Sequence, residues 1–419
     1  MNSLWLAGSI FLFTYALIVS EKIHRTISAL LGGLAMILFV LPQEQAFHAI
    51  DWNVIFLLAG MMIIANVLKE TGLFQWIALQ AVRFGKGDPF KVLIMLSLIT
   101  AVTSALLDNV TIVVLIAPVT LFVASTLRVS PIPFLIAEIL ASNIGGMATL
   151  IGDPPNILIG SAAEIDFVTF AANMGPIALL ILLVFIGMTR FLFKKELTAH
   201  DQPNVDIADL DASALITDPA LLRKSLLIMA AVTLGFILHG ALHLDPATIA
   251  LLGATLLLLW SKSDPHHALR ELEWTTLFFF FGLFITVEAV VEVGLIEMIA
   301  DWALRLTGGS LPLTSMLLIW FSAIASGIVD NIPYTATMIP IVKNLSQVMP
   351  AEPLWWSLAL GADLGGNLTL VGAAANVVVA SLAEKSGHPI SFGRFLRYGV
   401  ITTLMSLTLA SGYVWLRYL

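Results

Sequence analysis

The sequence reads DNVT at residues 108–111, within a long apolar stretch, and DNIP at residues 330–333, within a second one. A carboxylate deep in an apolar segment is costly in a membrane, so it is a functional-site candidate by default. A second carboxylate at the matching place of a second half is typical of transporters built from two internal repeats.

The repeat extends beyond the two Asp-Asn pairs. The sequence TGL at residues 71–73 matches VGL at residues 293–295 at the same spacing. Further along, GGMATLIG at residues 145–152 matches GGNLTLVG at residues 365–372. Matches of this density over half of the chain predict two structural repeats.

The composition indicates a membrane protein. Hydrophobic residues make up 59% of the chain and charged residues 11%, whereas soluble domains have about 45–50% and about 25%. Apolar runs of about 17–25 residues recur, which is the length that crosses a bilayer as a helix. The runs lack the alternation of a barrel strand. We therefore expect an all-α polytopic membrane protein. Because the sequence has no Cys, a thiolate metal site is excluded, and we expect no metal.

Each Asp-Asn pair joins two apolar arms, at residues 91–107 and 112–126 in one half and at residues 313–329 and 334–342 in the other. We interpret the arms as re-entrant hairpins, so that each repeat crosses the membrane five times and the second repeat is inverted. With the amino terminus outside, the cytoplasmic loops then hold most of the 20 Lys and Arg residues, in agreement with the positive-inside rule. The sequence thus predicts about ten transmembrane helices, two hairpins and both termini outside.

Two further segments are predicted to be broken helices. Residues 152–156 read GDPPN, and their counterparts at 372–376 read GAAAN. Adjacent prolines remove backbone donors and cannot continue a helix. Non-helical backbone at membrane depth is tolerated only against protein or a water-filled cavity. Both segments are therefore expected to line the substrate site.

The stretches SALLDNVTIVVLIAPVT at residues 104–120 and ASNIGGMATLIGDPPNILIG at residues 141–160 resemble the ion transporter superfamily. Within it they are similar to the group of arsenite permeases, sodium–proton antiporters and pink-eyed dilution proteins. The resemblance covers essentially the whole chain. It implies two inverted repeats, hairpin tips that meet near the middle of the membrane, and an elevator-like transport domain that moves against a scaffold.

The internal repeat and the one clearly polar stretch divide the chain into repeat one, a cytoplasmic linker and repeat two, at residues 1–193, 194–224 and 225–419. Scaffold helices are expected at residues 4–68 and 226–291, and transport elements at residues 91–193 and 313–413. More distant sodium–dicarboxylate symporters have Ser-Asn-Thr at each hairpin tip. The different tips of this sequence argue against a dicarboxylate substrate.

Asp108 and Asp330 are predicted to bind the coupling ion, a proton or sodium. Burial disfavours the charged form of a carboxylate, which suits a proton carrier, whereas a sodium carrier would keep the carboxylate ionised beside other oxygens. The alternative is a structural role as helix caps, which Asp and Asn favour.

The other candidate substrate- or ion-binding residues lie in the hairpin tips and the broken segments. Amides both donate and accept hydrogen bonds and suit a neutral hydroxylated solute or a hydrated ion, with local turn bonding as the alternative. Asp153 and Asp363 are acids that suit a cation, and their repeat counterparts are Ala373 and Asn143. The full set is Asn109, Thr111, Asn143, Thr149, Gly152, Asp153, Asn156, Asn331, Asp363, Asn367, Thr369, Gly372 and Asn376.

No Lys or Arg falls within the tips or the broken segments, although a multivalent anion would benefit from one. Acids and amides favour a cation or a neutral polyhydroxy solute. Trivalent arsenic is the neutral acid As(OH)₃ near neutral pH, so the resemblance makes proton-coupled efflux of arsenite or antimonite the leading prediction. Sodium–proton antiport is the alternative, and an anion or dicarboxylate symporter of the same fold is a further one. Inverted repeats with broken helices argue against a non-transporting receptor or scaffold.

The sequence contains no Gly-x4-Gly-Lys-Ser/Thr motif, so we expect a secondary transporter of the inner (plasma) membrane that is not an enzyme and has no cofactor. The expected partners are a small inorganic substrate and the lipid bilayer. The family resemblance alone adds a cytoplasmic ATPase, and a homodimer is compatible with the sequence. Basic residues form no stripe, so nucleic-acid binding has no support.

Overall fold

The computed structural model describes residues 3–20, 22–197, 215–262 and 264–419, and every regular element within these ranges is a helix. Repeat one contains α1 (Ser3–Ser20), α2 (Arg25–Phe39), α3 (Gln43–His48), α4 (Trp52–Glu70), α5 (Leu73–Gly85), α6 (Pro89–Ser104), α7 (Asn109–Thr126), α8 (Ile132–Gly146), α9 (Pro154–Ala162) and α10 (Phe167–Leu192). A short helix, α11 (Lys194–Leu197), follows. Repeat two contains α12 (Pro219–Leu242), α13 (Pro246–Ser261), α14 (Pro265–Arg270), α15 (Trp274–Glu292), α16 (Leu295–Thr307), α17 (Leu311–Val329), α18 (Asn331–Leu345), α19 (Ala351–Gly365), α20 (Ala374–Lys385) and α21 (Phe392–Tyr418).

The two sets of helices have the same order and nearly the same lengths. For example, α4 and α15 have 19 residues each, and α5 and α16 have 13. Even the turns before α5 and α16 agree, because Gly72 and Gly294 have φ values of 76° and 78°, in the left-handed region that glycine adopts readily. The predicted pair of repeats is confirmed.

The repeats are interlocked rather than side by side. Helix α2 packs against α15, and α4 packs against α13. In the repeat, α13 is the counterpart of α2, and α15 is the counterpart of α4. The α2–α15 contact and the α4–α13 contact are therefore equivalent to each other. In the same way, α7 packs against α20, and α9 packs against α18. The central part of the molecule is therefore built by both repeats, with hairpin arms of one repeat against a broken helix of the other.

Eight helices in the described ranges are long and apolar enough to cross a membrane, as judged by length and composition: α1, α4, α7, α10, α12, α15, α17 and α21. Shorter apolar helices are α2, α6, α8 and α13. The hairpins and the interruptions between α8 and α9 and between α19 and α20 agree with the predicted class, an all-α polytopic protein with two re-entrant hairpins and two broken helices.

Several boundaries differ from those that the sequence predicts. Helix α12 begins at Pro219, inside the predicted linker, because the Asp218 side chain accepts a hydrogen bond from Ala220 N at 2.9 Å and proline fits the first helical turn. Residues 198–214 of that linker lie outside the described residues. Helix α18 begins at Asn331 rather than at residue 334, since Pro333 also falls in the first turn, where its missing N–H costs nothing.

Candidate functional site

The two tip acids cap the helices that follow them. Asp108 accepts hydrogen bonds from the backbone N and from Oγ1 of Thr111, both at 2.9 Å, at the start of α7. Asp330 accepts one from Ile332 N at 3.0 Å, at the start of α18. These contacts are those of the capping alternative. Capping does not preclude ion binding, so the coupling role of both acids stays a prediction.

Asp330 has a cationic partner from another part of the chain. Arg25, at the start of α2, places its Nη1 3.1 Å from Asp330 Oδ2. The guanidinium lies over the ring of Phe279 on α15, 5.6 Å from its centroid. A cavity of about 260 Å³ borders the pair and is lined in part by His24, Arg25 and Asp330. Sequence reasoning missed Arg25, because nothing in its local sequence signals contact with a tip some three hundred residues away.

Both tips dock on the broken segments in the same manner. The backbone N–H of Asn109 donates to Gly152 O, and that of Asn331 donates to Gly372 O, each at 3.1 Å. The space at the two glycines differs. A Cβ at Gly152 would lie 2.4 Å from Gly146 O, whereas a Cβ at Gly372 would approach no atom closer than 3.0 Å. Glycine is therefore required at 152 by the close approach of backbone.

Asn156 and Asn376 hold their broken segments in the same way. The Nδ2 of Asn156 donates to Gly146 O at 3.2 Å and to Thr149 O at 3.0 Å. The Nδ2 of Asn376 donates to the equivalent carbonyls, Gly366 O at 2.7 Å and Thr369 O at 2.9 Å. The turn-bonding alternative thus accounts for the amino groups of both residues. Their side-chain oxygens are left for contacts with other elements.

The threonines of the broken segments bond mainly to the hairpins. Thr149 Oγ1 donates to Ala105 O at 2.6 Å, and Thr369 Oγ1 donates to Gly327 O at 2.5 Å. Thr111 bonds to Asp108. In this conformation Thr149 and Thr369 join the broken segments to the hairpins, and Thr111 bonds within its own tip. For any of the three hydroxyls to bind substrate, its present hydrogen bond would have to be replaced by one to the substrate.

Asn143 connects the two repeats. Its Nδ2 donates to the Oδ1 atoms of Asn367 and Asn376 in the second repeat, both at 3.0 Å. Its own Oδ1 accepts from Asn109 Nδ2 at 3.2 Å. All four side chains are 1% exposed or less. They form a continuous amide network at the interface of the repeats.

Two buried acids adjoin this network. Asp153, which is 1% exposed, accepts hydrogen bonds from Asn109 Nδ2 at 2.7 Å and from Asn331 Nδ2 at 3.3 Å, so residues from both hairpin tips bind one carboxylate. Asp363 is equally buried, but neither of its oxygens has a hydrogen-bond partner among the described residues. The structure thus brings together the amides and these two acids, whereas Asp108, Thr111 and Asp330 are only half-buried.

Other features lie apart from this centre. Glu138 on α8 is buried and accepts a hydrogen bond from Thr120 Oγ1 at 2.5 Å. A larger cavity of about 470 Å³ lies between α4, α9 and the α12–α13 turn, lined in part by Asn53, Asp166 and His239. None of the predicted site residues lines it.

Comparison with known proteins adds a family to this geometry. A family model described as citrate transporter matches residues 15–361. The chain is 44% identical to an uncharacterised transporter of Mycobacterium tuberculosis, over 98% of both chains. It is 35% identical to the human P protein, over 98% of this chain and 59% of that protein. The crystal structure of the YdaH transporter of Alcanivorax borkumensis is similar in fold, with a TM-score of 0.61 and 15% identity over 96% of this chain and 97% of the other.

Proposed function

We propose that this chain, which belongs to the citrate transporter family within the ion transporter superfamily and is an integral membrane transporter, exports arsenite or antimonite in exchange for protons. The predicted resemblance to the pink-eyed dilution group is confirmed by the P protein. The substrate proposal rests on one observation: in the described residues, the buried centre consists of amides and two carboxylates, and no Lys or Arg bonds to it.

The chemistry of this centre suits a neutral hydroxylated solute. As(OH)₃ offers three hydroxyls, each of which can donate to a carboxylate or amide oxygen and accept from an amide N–H. Asn109, Asn143 and Asn331 present such groups, and each already exchanges hydrogen bonds with neighbours that a solute can replace. Because no Lys or Arg lies in this site, binding of a neutral ligand leaves no buried cation without a counter-charge.

The packing supports elevator-like alternating access. The hairpins and broken helices form one group of elements, and α2, α4, α13 and α15 form another with its own mutual contacts. The Arg25–Asp330 ion pair joins the two groups at the tip of the second hairpin. We propose that the first group moves against the second and that this pair breaks and re-forms during the cycle.

Two observations favour other substrates. Arg25 beside a cavity at the second tip would suit an anion, which is the class that the matched family model names. The two buried acids at the centre would equally suit sodium–proton antiport. Four acids can carry the coupling ion. The sequence predicts this role for Asp108 and Asp330, and Asp153 and Asp363 at the centre are the other two candidates.

Everted membrane vesicles with an acidic interior separate these functions. Arsenite, citrate and sodium are offered one at a time, and accumulation is followed with and without a protonophore. We expect protonophore-sensitive accumulation of arsenite alone, and loss of accumulation in Asp153→Asn.

Asp88→Asn is the matched control, because Asp88 caps α6 at an exposed site and Asn caps equally well. Accumulation of citrate or sodium, with none of arsenite, would replace the proposed substrate.

A further inference from the structure

Buried acceptor atoms next to the centre lack a donor. Among them are Oδ1 and Oδ2 of Asp363 and Oδ1 of Asn156, none of which has a hydrogen-bond partner in the described ranges. The two side chains are 1% and 0% exposed. Buried acceptors without donors are costly, so a group that supplies a donor belongs here.

The orientation of the Asn156 amide is not open to choice. Its Nδ2 donates to two backbone carbonyls, and the Asn376 amide makes the same pair of bonds in the second repeat. Turning the amide over would set Oδ1 against both carbonyls. The oxygen of Asn156 therefore faces away from its own loop and needs a donor from another element.

The internal symmetry identifies that donor. In the second repeat, Asn376 Oδ1 accepts from Asn143 Nδ2 at 3.0 Å. The counterpart of Asn376 is Asn156, and the counterpart of Asn143 is Asp363. Residue 363 thus occupies the place of a donor, and an aspartate can donate only when it carries a proton.

We propose that Asp363 is protonated in this conformation, donates a hydrogen bond to Asn156 Oδ1, and is the residue that carries the coupling proton. One proton gives both side chains the partner that they lack. Asp153 is the ionised member of the pair, since Asn109 and Asn331 both donate to it. This assignment rests on the proposed proton coupling and moves the proton from the tip acids to α19.

The charged groups nearby do not offer another neutralising partner. Asp153, Asp108 and Asp330 are acids like Asp363, and Arg25 is already paired with Asp330. The helices that pack against α19 are α8, α9, α10, α17, α18 and α21. Their remaining titratable residues are Glu138, Arg190, Tyr334, Lys343, Arg394, Arg397, Tyr398, Tyr413, Arg417 and Tyr418. In the part of the chain that the structure describes, none of these forms a hydrogen bond or an ion pair with Asp363.

Loss of the proton has a direct structural consequence. An ionised Asp363 would set a carboxylate against the oxygen of Asn156 and add a second negative charge beside Asp153. Both effects act on residues 152–156, where the first hairpin tip is docked through Gly152. Deprotonation is thereby coupled to release of a hairpin.

Infrared spectroscopy of the purified protein tests the assignment without any substrate. We expect the wild type at neutral pH to show the C=O stretching band of a protonated carboxylic acid, and the band to be missing from Asp363→Asn. That variant should remain folded with near wild-type thermal stability, because its amide can donate to Asn156 as Asn143 does to Asn376. Asp363→Leu, which has no donor, should unfold at a clearly lower temperature.

Asp153→Asn and Glu138→Gln are the matched controls, and the Asp363 band should persist in both. A spectrum of Asp363→Asn identical to that of the wild type, or loss of the same band in Asp153→Asn, would overturn the assignment. Sodium-dependent stabilisation of the wild type at constant pH, absent from Asp363→Asn while no carboxyl band changes, would overturn it in favour of sodium. Because no substrate is present, these results are independent of whether arsenite is transported.

Discussion

The centres of the two repeats share two pairs of amides and differ in their acids. Asn109 and Asn156 have asparagines as counterparts, at 331 and 376, and each pair makes equivalent backbone contacts. Asp153, by contrast, corresponds to Ala373. The difference separates two tasks: the repeated amides hold the tips and loops in place, and the unrepeated acids give the centre a charge and a titratable group.

The tips show the same division. Asp108 and Asp330 are equivalent and both cap a helix, but Asp330 also forms an ion pair with Arg25, which is distant in sequence. The counterpart of α2 in the second repeat is α13, which begins with Pro246. Both tips have the helix cap, and only the second tip has the ion pair with Arg25. As at the centre, the feature that both repeats share, here the cap, is the structural one.

The largest expected effect concerns the inverted relation of the repeats. Single cysteines can be introduced at Ser130 and Ser346 without background, because the sequence has no Cys. We expect an impermeant thiol reagent to label position 130 from the cytoplasm only and position 346 from outside only, since the two hairpins open to opposite faces. Labelling of both positions from one side would show that the two repeats have the same orientation in the membrane and are not inverted.

The second prediction compares the glycines below the tips. Gly152→Ala should lower the stability of the protein by about 3 kcal/mol or more, because its Cβ would collide with backbone that cannot move away. Gly372→Ala should cost about 1 kcal/mol, because its closest contacts are 3.0 and 3.1 Å. Thermal unfolding of both variants in detergent measures the difference, and equal losses would mean that the two loops are packed alike.

The third prediction makes the first repeat resemble the second. Asn143→Asp replaces the donor to Asn367 and Asn376 with an acid beside Asp153. We expect a loss of about 2–3 kcal/mol at neutral pH, because buried acceptors lose their donor and a buried charge is added. The loss should shrink as the pH is lowered, since the introduced carboxyl group regains one donor when it is protonated. A pH-independent loss in thermal unfolding would count against this explanation.

The smallest effect is expected at the tips. A double-mutant cycle of Arg25→Gln and Asp330→Asn should give a coupling free energy of about 1 kcal/mol, because the pair is only partly buried. The same cycle with Asp108→Asn should give a coupling of roughly a few tenths of a kcal/mol, because the ion pair of Arg25 is with Asp330. Thermal unfolding provides the measurement, and equal coupling in both cycles would show that Arg25 is shared evenly between the tips.

Local sequence was sufficient for the parts of the site that depend on local chemistry. The Asp-Asn pairs predict the hairpin tips, and the Gly-Asp-Pro-Pro-Asn segment predicts that a helix break is near. The predicted bounds of the breaks, residues 152–156 and 372–376, were too late: the breaks lie at residues 147–153 and 366–373, and the two prolines open α9 because proline fits the first helical turn. The pairing of Asn143 with Asn376 and of Arg25 with Asp330 was not predictable, since both depend on how the repeats interlock. Helix starts were placed too late at 112 and 334 because an Asn after a capping Asp already adopts the helical conformation.

The binding of both hairpin tips to one carboxylate bears on the origin of the chain. Two copies of repeat one would bring two residues like Asp153 to the centre and no acid at the place of Asp363. Two copies of repeat two would supply Asp363 twice and leave Asn109 and Asn331 without their common acceptor. A gene for a single repeat could therefore not reproduce this centre by pairing with itself, because the centre takes a different acid from each repeat.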